Sequence, residues 1–259
     1  MDGVTKGRRP MRFADKVVIV TGAGRGIGRA IALAFAAEGA KVVVSDVHGD
    51  SATRVAMLIG DIQGDALAVE VDVSKASQVA RLVQKTLEAF GTIDVLVNNA
   101  GVLRPTRLED ISEEEWDWLM DINVKGVFLC TKAVLPTMRS RGGGKIVNLA
   151  SIAGRSTSTI GGAHYTTSKA AVLGLTRHAA REMAQYHVNV NSVSPGSIDT
   201  EMVREYSTAK EREEEAKSVP LGRFADPQEV ARVVLFLASQ EASYITGATI
   251  DINGGLLMI

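Results

Sequence analysis

The run Tyr165-Thr166-Thr167-Ser168-Lys169 places a phenol and an amine four residues apart, one above the other on the same face of a helix. A phenol at its ordinary pKa of ~10 is a poor base at neutral pH, whereas one beside a fixed cation is a better one. Bringing it from ~10 to ~7 takes ~4 kcal/mol. One unit charge at ~4 Å in an effective dielectric of ~20 supplies about that much. Taken alone the pair means little, because an isolated Tyr and Lys at this spacing are commonly solvated side chains. Its meaning depends on what the remaining chain sets around it.

A second set of residues suits phosphate. The apolar, β-branched run Val17-Val18-Ile19-Val20 reads as a strand buried on both faces, and it leads into Thr21-Gly22-Ala23-Gly24-Arg25-Gly26-Ile27-Gly28. A helical pattern follows as far as Gly39, and Val42-Val43-Val44 forms a second buried strand ending at Asp46. The glycine pattern is G-x-x-x-G-x-G rather than G-x-G-x-x-G. Gly22, Gly26 and Gly28 can still make the tight turn, the close backbone approach to a pyrophosphate and the close helix–strand packing. A carboxylate at the end of the second strand accepts hydrogen bonds from adenosine ribose hydroxyls and repels a 2′-phosphate, by several kcal/mol at ~4–5 Å. Arg25 acts in the opposite sense, since its guanidinium could pair with that phosphate. Asp46 is weighted more heavily because of where it sits, so NAD(H) is expected ahead of NADP(H).

The same strand–helix alternation continues along the chain. Helices are expected over about 51–62 and 77–90, and strands over 66–71 and 93–98. A long helix should start at Ser112, with Ser112 and Glu115 as a capping box, and run past Asn123 toward Met138. Strands over 145–150 and 188–193 bracket the helix that carries Tyr165 and Lys169. Asp226-Pro227-Gln228-Glu229 is a strong helix start, and a last strand covers 249–252. Seven strands alternating with helices, joined by right-handed crossovers, predict an α/β fold: one Rossmann-type doubly wound parallel sheet with helices on both faces. Residues 13–259 read as a single domain behind a flexible basic tail over 1–12, and Met11 is an alternative start. The charged stretch 200–219 reads as a solvated face or a substrate lid.

Composition narrows the field. The chain has 259 residues, 46% hydrophobic and 23% charged, with net charge −1, so no global field favours nucleic acid or an anionic membrane. No apolar run nears the ~20 residues of a membrane span. No apolar segment accompanies the basic tail, so secretion is unsupported. The lone Cys130 sits among Val127, Phe128 and Leu129 and reads as core. His48, His164, His178 and His187 lack metal-ligand spacing, so no metal is expected.

Together these residues resemble one family closely, the short-chain dehydrogenases/reductases. The resemblance rests on Thr21-Gly22-x-x-x-Gly26-x-Gly28, Asp72-Val73, Asn98-Asn99-Ala100-Gly101, Asn123, Ser151, Tyr165-x-x-x-Lys169 and Pro195-Gly196, and it covers nearly everything from Phe13 onward. It implies direct hydride transfer between a nicotinamide and a secondary carbinol or ketone. Tyr165 would be the acid/base, with Lys169 lowering its pKa (a bound oxidised nicotinamide would help) and holding the nicotinamide ribose. Ser151 would hydrogen-bond the reacting oxygen. Asn123, which alone reads as an exposed polar residue, would hold a water linking Lys169 to solvent. Asp72 and Val73 would flank the adenine, and Asn99, with Ala100 and Gly101, would support the sheet beside the cofactor. Past Pro195-Gly196, Ile198 would meet the carboxamide and Thr200 the cofactor's polar atoms. The chain departs from the family at Thr166 and Thr167, which replace smaller residues, and at Asn189, where an arginine is common and a local ion pair would be lost.

The substrate is expected beside Tyr165, under residues 152–164. Ser156, Thr157, Ser158, Thr159 and His164 there suit a polyol, hydroxyketone or sugar at least as well as an acyl chain. An NAD-linked secondary-alcohol dehydrogenase is therefore the first expectation. The second is a 3-oxoacyl carrier-protein reductase. Those enzymes mostly use NADPH and often carry basic residues for the acidic carrier where this chain has Tyr186-His187. A dinucleotide-binding regulator without catalysis is disfavoured by the complete catalytic set, and an epimerase by the absence of a larger substrate domain. A cytoplasmic homotetramer, typical of the family, would cover the apolar end Leu256-Leu257-Met258-Ile259.

Overall fold

The computed structural model describes residues 11–259. Seven strands form one parallel sheet in the order β3-β2-β1-β4-β5-β6-β7, the strands being β1 (Val17–Thr21), β2 (Lys41–Asp46), β3 (Ala66–Glu70), β4 (Val95–Asn98), β5 (Gly144–Leu149), β6 (Val188–Pro195) and β7 (Thr249–Ile252). The helices between them are α1 (Gly26–Ala37), α2 (Gly49–Asp61), α3 (Ala76–Phe90), α4 (Glu113–Met120), α5 (Gly126–Arg141), α6 (Ala163–Met183), α7 (Glu201–Tyr206), α8 (Ala209–Ser218) and α9 (Pro227–Ala238).

Continuous apolar strands become a two-faced core by simple alternation. Val18, Val20, Val42 and Val44 point to one side, where they join Ile31, Phe35, Val55, Ile59, Val230 and Val234 of α1, α2 and α9. Ile19 and Val43 point to the other, where they meet Val79, Leu82, Cys130, Val134, Met138 and Met183 of α3, α5 and α6. Burial pushes the Cys130 thiol up to about 12, which keeps it an inert core group. Strand order reverses between β1 and β4, and there the loops after the two strands part to leave a crevice at the carboxyl edge of the sheet.

The expectations at Ser112 are corrected. The helix from Ser112 is not uniform: α4 passes through a π-helical turn, Asp121–Lys125, before α5. That extra residue in one turn swings Asn123 inward, to 1% exposure. Ser112 Oγ accepts the Glu115 N–H at 3.2 Å, but the reciprocal half of the capping box is missing because the Glu115 side chain is bonded elsewhere. At Asp226 the box is complete. Residues 201–218 fold as α7 and α8, capped by Thr200 and Thr208. Residues 1–10 of the expected tail lie outside the described residues; Arg12 pairs with Glu38 at 2.9 Å. At Asn189, where the ion pair was expected to be lost, hydrogen bonds stand instead: its Oδ1 accepts from Lys145 Nζ at 2.8 Å, and its Nδ2 donates to the Ser243 and Ile245 carbonyls at 3.0 Å.

A buried polar line stitches the middle of the sheet to its helices. Asn98 Nδ2 donates to Asn148 Oδ1 at 2.8 Å and to Thr131 Oγ1 at 3.1 Å, and Asn148 Nδ2 donates to Thr176 Oγ1 at 2.9 Å. Buried amides that lose partners cost ~1–3 kcal/mol each. Asn148→Ala should therefore lower unfolding stability by about 2–4 kcal/mol in urea denaturation, with the m-value unchanged.

Candidate active site

The crevice holds a cavity of about 500 Å³. Its walls are built from the carboxyl ends of β1, β2, β4, β5 and β6 and the segments that follow them, together with the segment after β3.

One end is a glycine cradle. Gly22 (φ +61°) and Gly26 (φ +54°) adopt the left-handed conformation that favours glycine. A Cβ on Gly22 would stand 2.7 Å from the Ala100 Cα, and one on Gly28 would collide with the Gly22 carbonyl and the Asn99 side chain. Asn99 locks the turn by donating from Nδ2 to the Thr21 and Gly22 carbonyls, both at 2.9 Å, while Thr21 Oγ1 accepts the N–H groups of Asn99 and Ala100 at 3.1 Å. The twelve-residue α1 then starts with no side-chain cap at Arg25 and no acid in its first turn. Its unpaired N–H groups and positive end are left for an external anion, which fits the pyrophosphate of a dinucleotide. Arg25, Asp46, His48, Asp72 and Val73 line this end, and Ala100, Gly101, Pro195, Gly196, Ile198 and Thr200 continue the wall.

Ser151, Tyr165 and Lys169 meet on the wall beyond it. Lys169 Nζ donates to the Leu149 carbonyl at 2.9 Å and lies 5.7 Å from the centre of the Tyr165 ring. Burial holds the Lys169 amine down to about 8. Burial also raises the Tyr165 phenol, against a hydrogen bond with Ser151 that lowers it. The net direction is upward because taking a phenolate out of water costs more than the Ser151 hydrogen bond returns. Asn123 does not line the cavity; it stands behind Lys169, its Oδ1 accepting the Val102 N–H at 2.8 Å and its Nδ2 donating to the Val102 carbonyl at 2.8 Å and to Ser168 Oγ at 3.0 Å.

Sequence reading missed other parts of the wall, among them Leu103 and Trp118, Ile122 of the π-helical turn, and Met202 and Val203 of α7. The usable signal was position, since Leu103 follows the loop after β4 and Met202 the loop after β6, both at the carboxyl edge. The expected polar substrate loop is corrected. Ser156, Thr157, Ser158 and Thr159 are not among the cavity's lining residues. Ser158 Oγ accepts the N–H groups of Ile160 and Gly161 at 3.2 and 2.6 Å, and His164 is fully buried behind Tyr165. Among the described residues, no cluster of three or more His, Cys, Asp or Glu could hold a metal ion, and no helix is long and apolar enough to cross a membrane.

A doubly wound sheet, a dinucleotide cradle and a Ser–Tyr–Lys wall in one cavity define a nicotinamide-dependent oxidoreductase class, and the chain belongs to the short-chain dehydrogenase/reductase family. A family model described as enoyl-(acyl carrier protein) reductase matches residues 22–257. The chain is 42% identical to the 3-oxoacyl-[acyl-carrier-protein] reductase FabG of Thermotoga maritima, over 96% of this chain and all of that one. It is 43% identical to the reductase of the same name from Synechocystis sp., over 94% and 97%. A short-chain type dehydrogenase/reductase from Mycobacterium marinum superimposes with a TM-score of 0.92 at 38% identity, covering 96% of this chain and 98% of that one.

These relatives overturn the expected order of cofactors. They carry the name of the reductases that mostly use NADPH, so NAD(H) ahead of NADP(H) does not stand. In the structure Asp46 Oδ2 accepts the Gly24 N–H at 2.9 Å and its Oδ1 the His48 N–H at 3.0 Å, so the carboxylate helps to hold the glycine turn and the segment after β2.

The cradle makes a direct prediction. Gly28→Ala should weaken dinucleotide binding at least about tenfold, because the turn must open to admit the methyl group. Nicotinamide fluorescence titration measures this directly.

Proposed function

We propose that this chain reduces a 3-oxoacyl thioester, presented on an acyl carrier protein, to the 3-hydroxyacyl thioester with NADPH. The observation that carries the reading is the apolar wall of Leu103, Trp118, Ile122 and Met202 in the same cavity as Tyr165 and Ser151, where an acyl chain fits better than a polyol. The names of the relatives support the same reading.

When bound, the nicotinamide supplies a hydride to the carbonyl carbon. Tyr165 gives its phenolic proton to the carbonyl oxygen, and Ser151 hydrogen-bonds that oxygen as its charge develops. Burial favours the protonated phenol, the form needed to donate. Lys169 spends one of its donors on the Leu149 carbonyl and offers its positive charge to the phenolate left after transfer. Asn123 fixes the segment at Val102 and, through Ser168, the turn of α6 that carries Lys169. Residues 200–219 serve as a lid over the apolar wall, and the molecule works as a cytoplasmic homotetramer. Exposed Phe128, Phe236, Met258 and Ile259 support association.

A substrate panel of 3-oxoacyl thioesters on carrier protein, hydroxyketones, sugars and polyols, run with both cofactors, tests the assignment. The 3-oxoacyl thioester with NADPH should have the highest kcat/KM; a polyol with NAD⁺ exceeding it tenfold would sink the proposal. Tyr165→Phe should lower kcat at least about 10³-fold while dinucleotide affinity changes little, since only the transferred proton is lost. The Lys169 amine is lowered from its solution value, so it holds its charge below about 8 and loses it above. The reduction rate should accordingly fall as pH rises through about 8, in a pH–rate profile at saturating substrate.

A further inference from the structure

Behind the cavity wall lies a titratable pair that the proposed chemistry does not use. His164, the residue before Tyr165, has no exposed surface. Its Nδ1 accepts the backbone N–H of Tyr165 at 3.0 Å, so Nδ1 carries no proton. The ring proton is then on Nε2, which donates to Glu115 Oε1 of α4 at 2.9 Å. The Glu115 carboxylate also takes a hydrogen bond from Thr106, which with His164 and the charge of Arg104 keeps it below the usual carboxylate range.

The location of this pair gives it a task. The Tyr165 amide is one of the first N–H groups of α6, which have no acceptor inside the helix. The capping position is held by Gly162, which has no side chain to serve it. The imidazole therefore does what a capping side chain does elsewhere, and it does so on the backbone of Tyr165 itself. The seat is tight on both sides. A Cβ on Gly162 would stand 2.9 Å from the His164 ring, and one on Gly161 would stand 2.6 Å from the Tyr165 ring. Gly162 is itself tied to the strand-end loop, donating its N–H to the Arg104 carbonyl at 2.8 Å. The same Glu115 that leaves its capping box at Ser112 is the one holding the imidazole.

We propose that His164, oriented by Glu115, is a positioning residue: as a neutral imidazole it caps the Tyr165 amide and fixes the phenol against Ser151 and Lys169. This rests on the reading of Tyr165 as the proton donor. The charged group facing the imidazole is Glu115 from α4, whose carboxylate also feels the charge of Arg104.

The test uses the full-length chain and four variants, reading kcat, KM, dinucleotide affinity, thermal midpoint and the basic limb of the pH–rate profile. His164→Leu removes both bonds. His164→Asn keeps an acceptor at the δ position but cannot reach Glu115. Glu115→Ala frees the ring, and Tyr165→Phe is the control for the underlying reading. His164→Leu should lower kcat about tenfold or more and displace the basic limb, with dinucleotide affinity held within about twofold, since small misplacements of a reacting group are costly. His164→Asn should recover a large part of that loss, and Glu115→Ala should lower kcat in the same direction but less. The proposal is overturned if His164→Leu keeps kcat and the basic limb, or if its only effect is a lower thermal midpoint. It is also overturned if His164→Asn is no better than His164→Leu. If His164→Leu fails to fold, Glu115→Ala decides: kcat and the basic limb unmoved in that variant would overturn it. Turnover retained in Tyr165→Phe would instead remove the proton-donor reading, a result separate from the others.

Discussion

A charged amine kept out of water is the constraint on which this structure depends. Lys169 is buried in the wall of the cavity, and its amine donates a hydrogen bond to the Leu149 carbonyl at the end of β5. Holding that amine protonated at neutral pH costs about 3 kcal/mol relative to water, from a pKa drawn down to about 8. The same desolvation acts on Tyr165 with the opposite consequence, keeping its proton on. Burial alone thus sets a protonated phenol beside an amine that stays protonated up to about 8, the pair of states that a proton donor in a reduction requires. The sheet must supply the rest, because neither group survives burial without fixed dipoles around it.

Those dipoles come from a division of labour along the strands. Across the sheet, both faces are apolar and close-packed; toward the carboxyl edge the side chains become polar and bond to one another. Asn98, Asn148, Thr131 and Thr176 form one buried line. Thr21 and Asn99 form a second, which holds the glycine turn. Asn123 extends the scaffold from the helical layer by reaching Val102 on one side and Ser168 on the other. The glycine turn and the turn of α6 that carries Lys169 are thus each fixed by a polar group of their own.

The alternation of strands and helices was legible because continuous β-branched runs have few other uses, and the glycine turn because its neighbours gave it context. What escaped the sequence is what depends on three-dimensional competition for a partner. Glu115 satisfies the spacing of a capping box, yet its carboxylate goes to His164 because a buried imidazole N–H needs an acceptor more than an exposed helix end does. Asn123, which alone reads as an exposed polar residue, is buried in a turn that is π-helical. His164 and Ser158 were grouped as substrate contacts from their polarity, but both are consumed in shaping the loop. Leu103, Trp118, Ile122 and Met202 come from separate segments, so no local pattern joins them into an apolar wall.

The adenosine end shows the same competition among charges. An acid at the end of β2 was read as a free carboxylate facing a ribose. In the folded chain it is an acceptor for two backbone amides, at Gly24 and His48, and a Cβ on Gly24 would stand 2.9 Å from one of its oxygens. Arg25, whose charge opposes it, is paired in turn with Glu205 of α7, and Arg29 with Glu201 of the same helix at 3.0 Å. These are half-exposed pairs of modest strength. The sign of the field that a 2′-phosphate meets is therefore set by how Asp46, Arg25 and Glu205 share their partners, and the mere presence of an acid after β2 does not decide it.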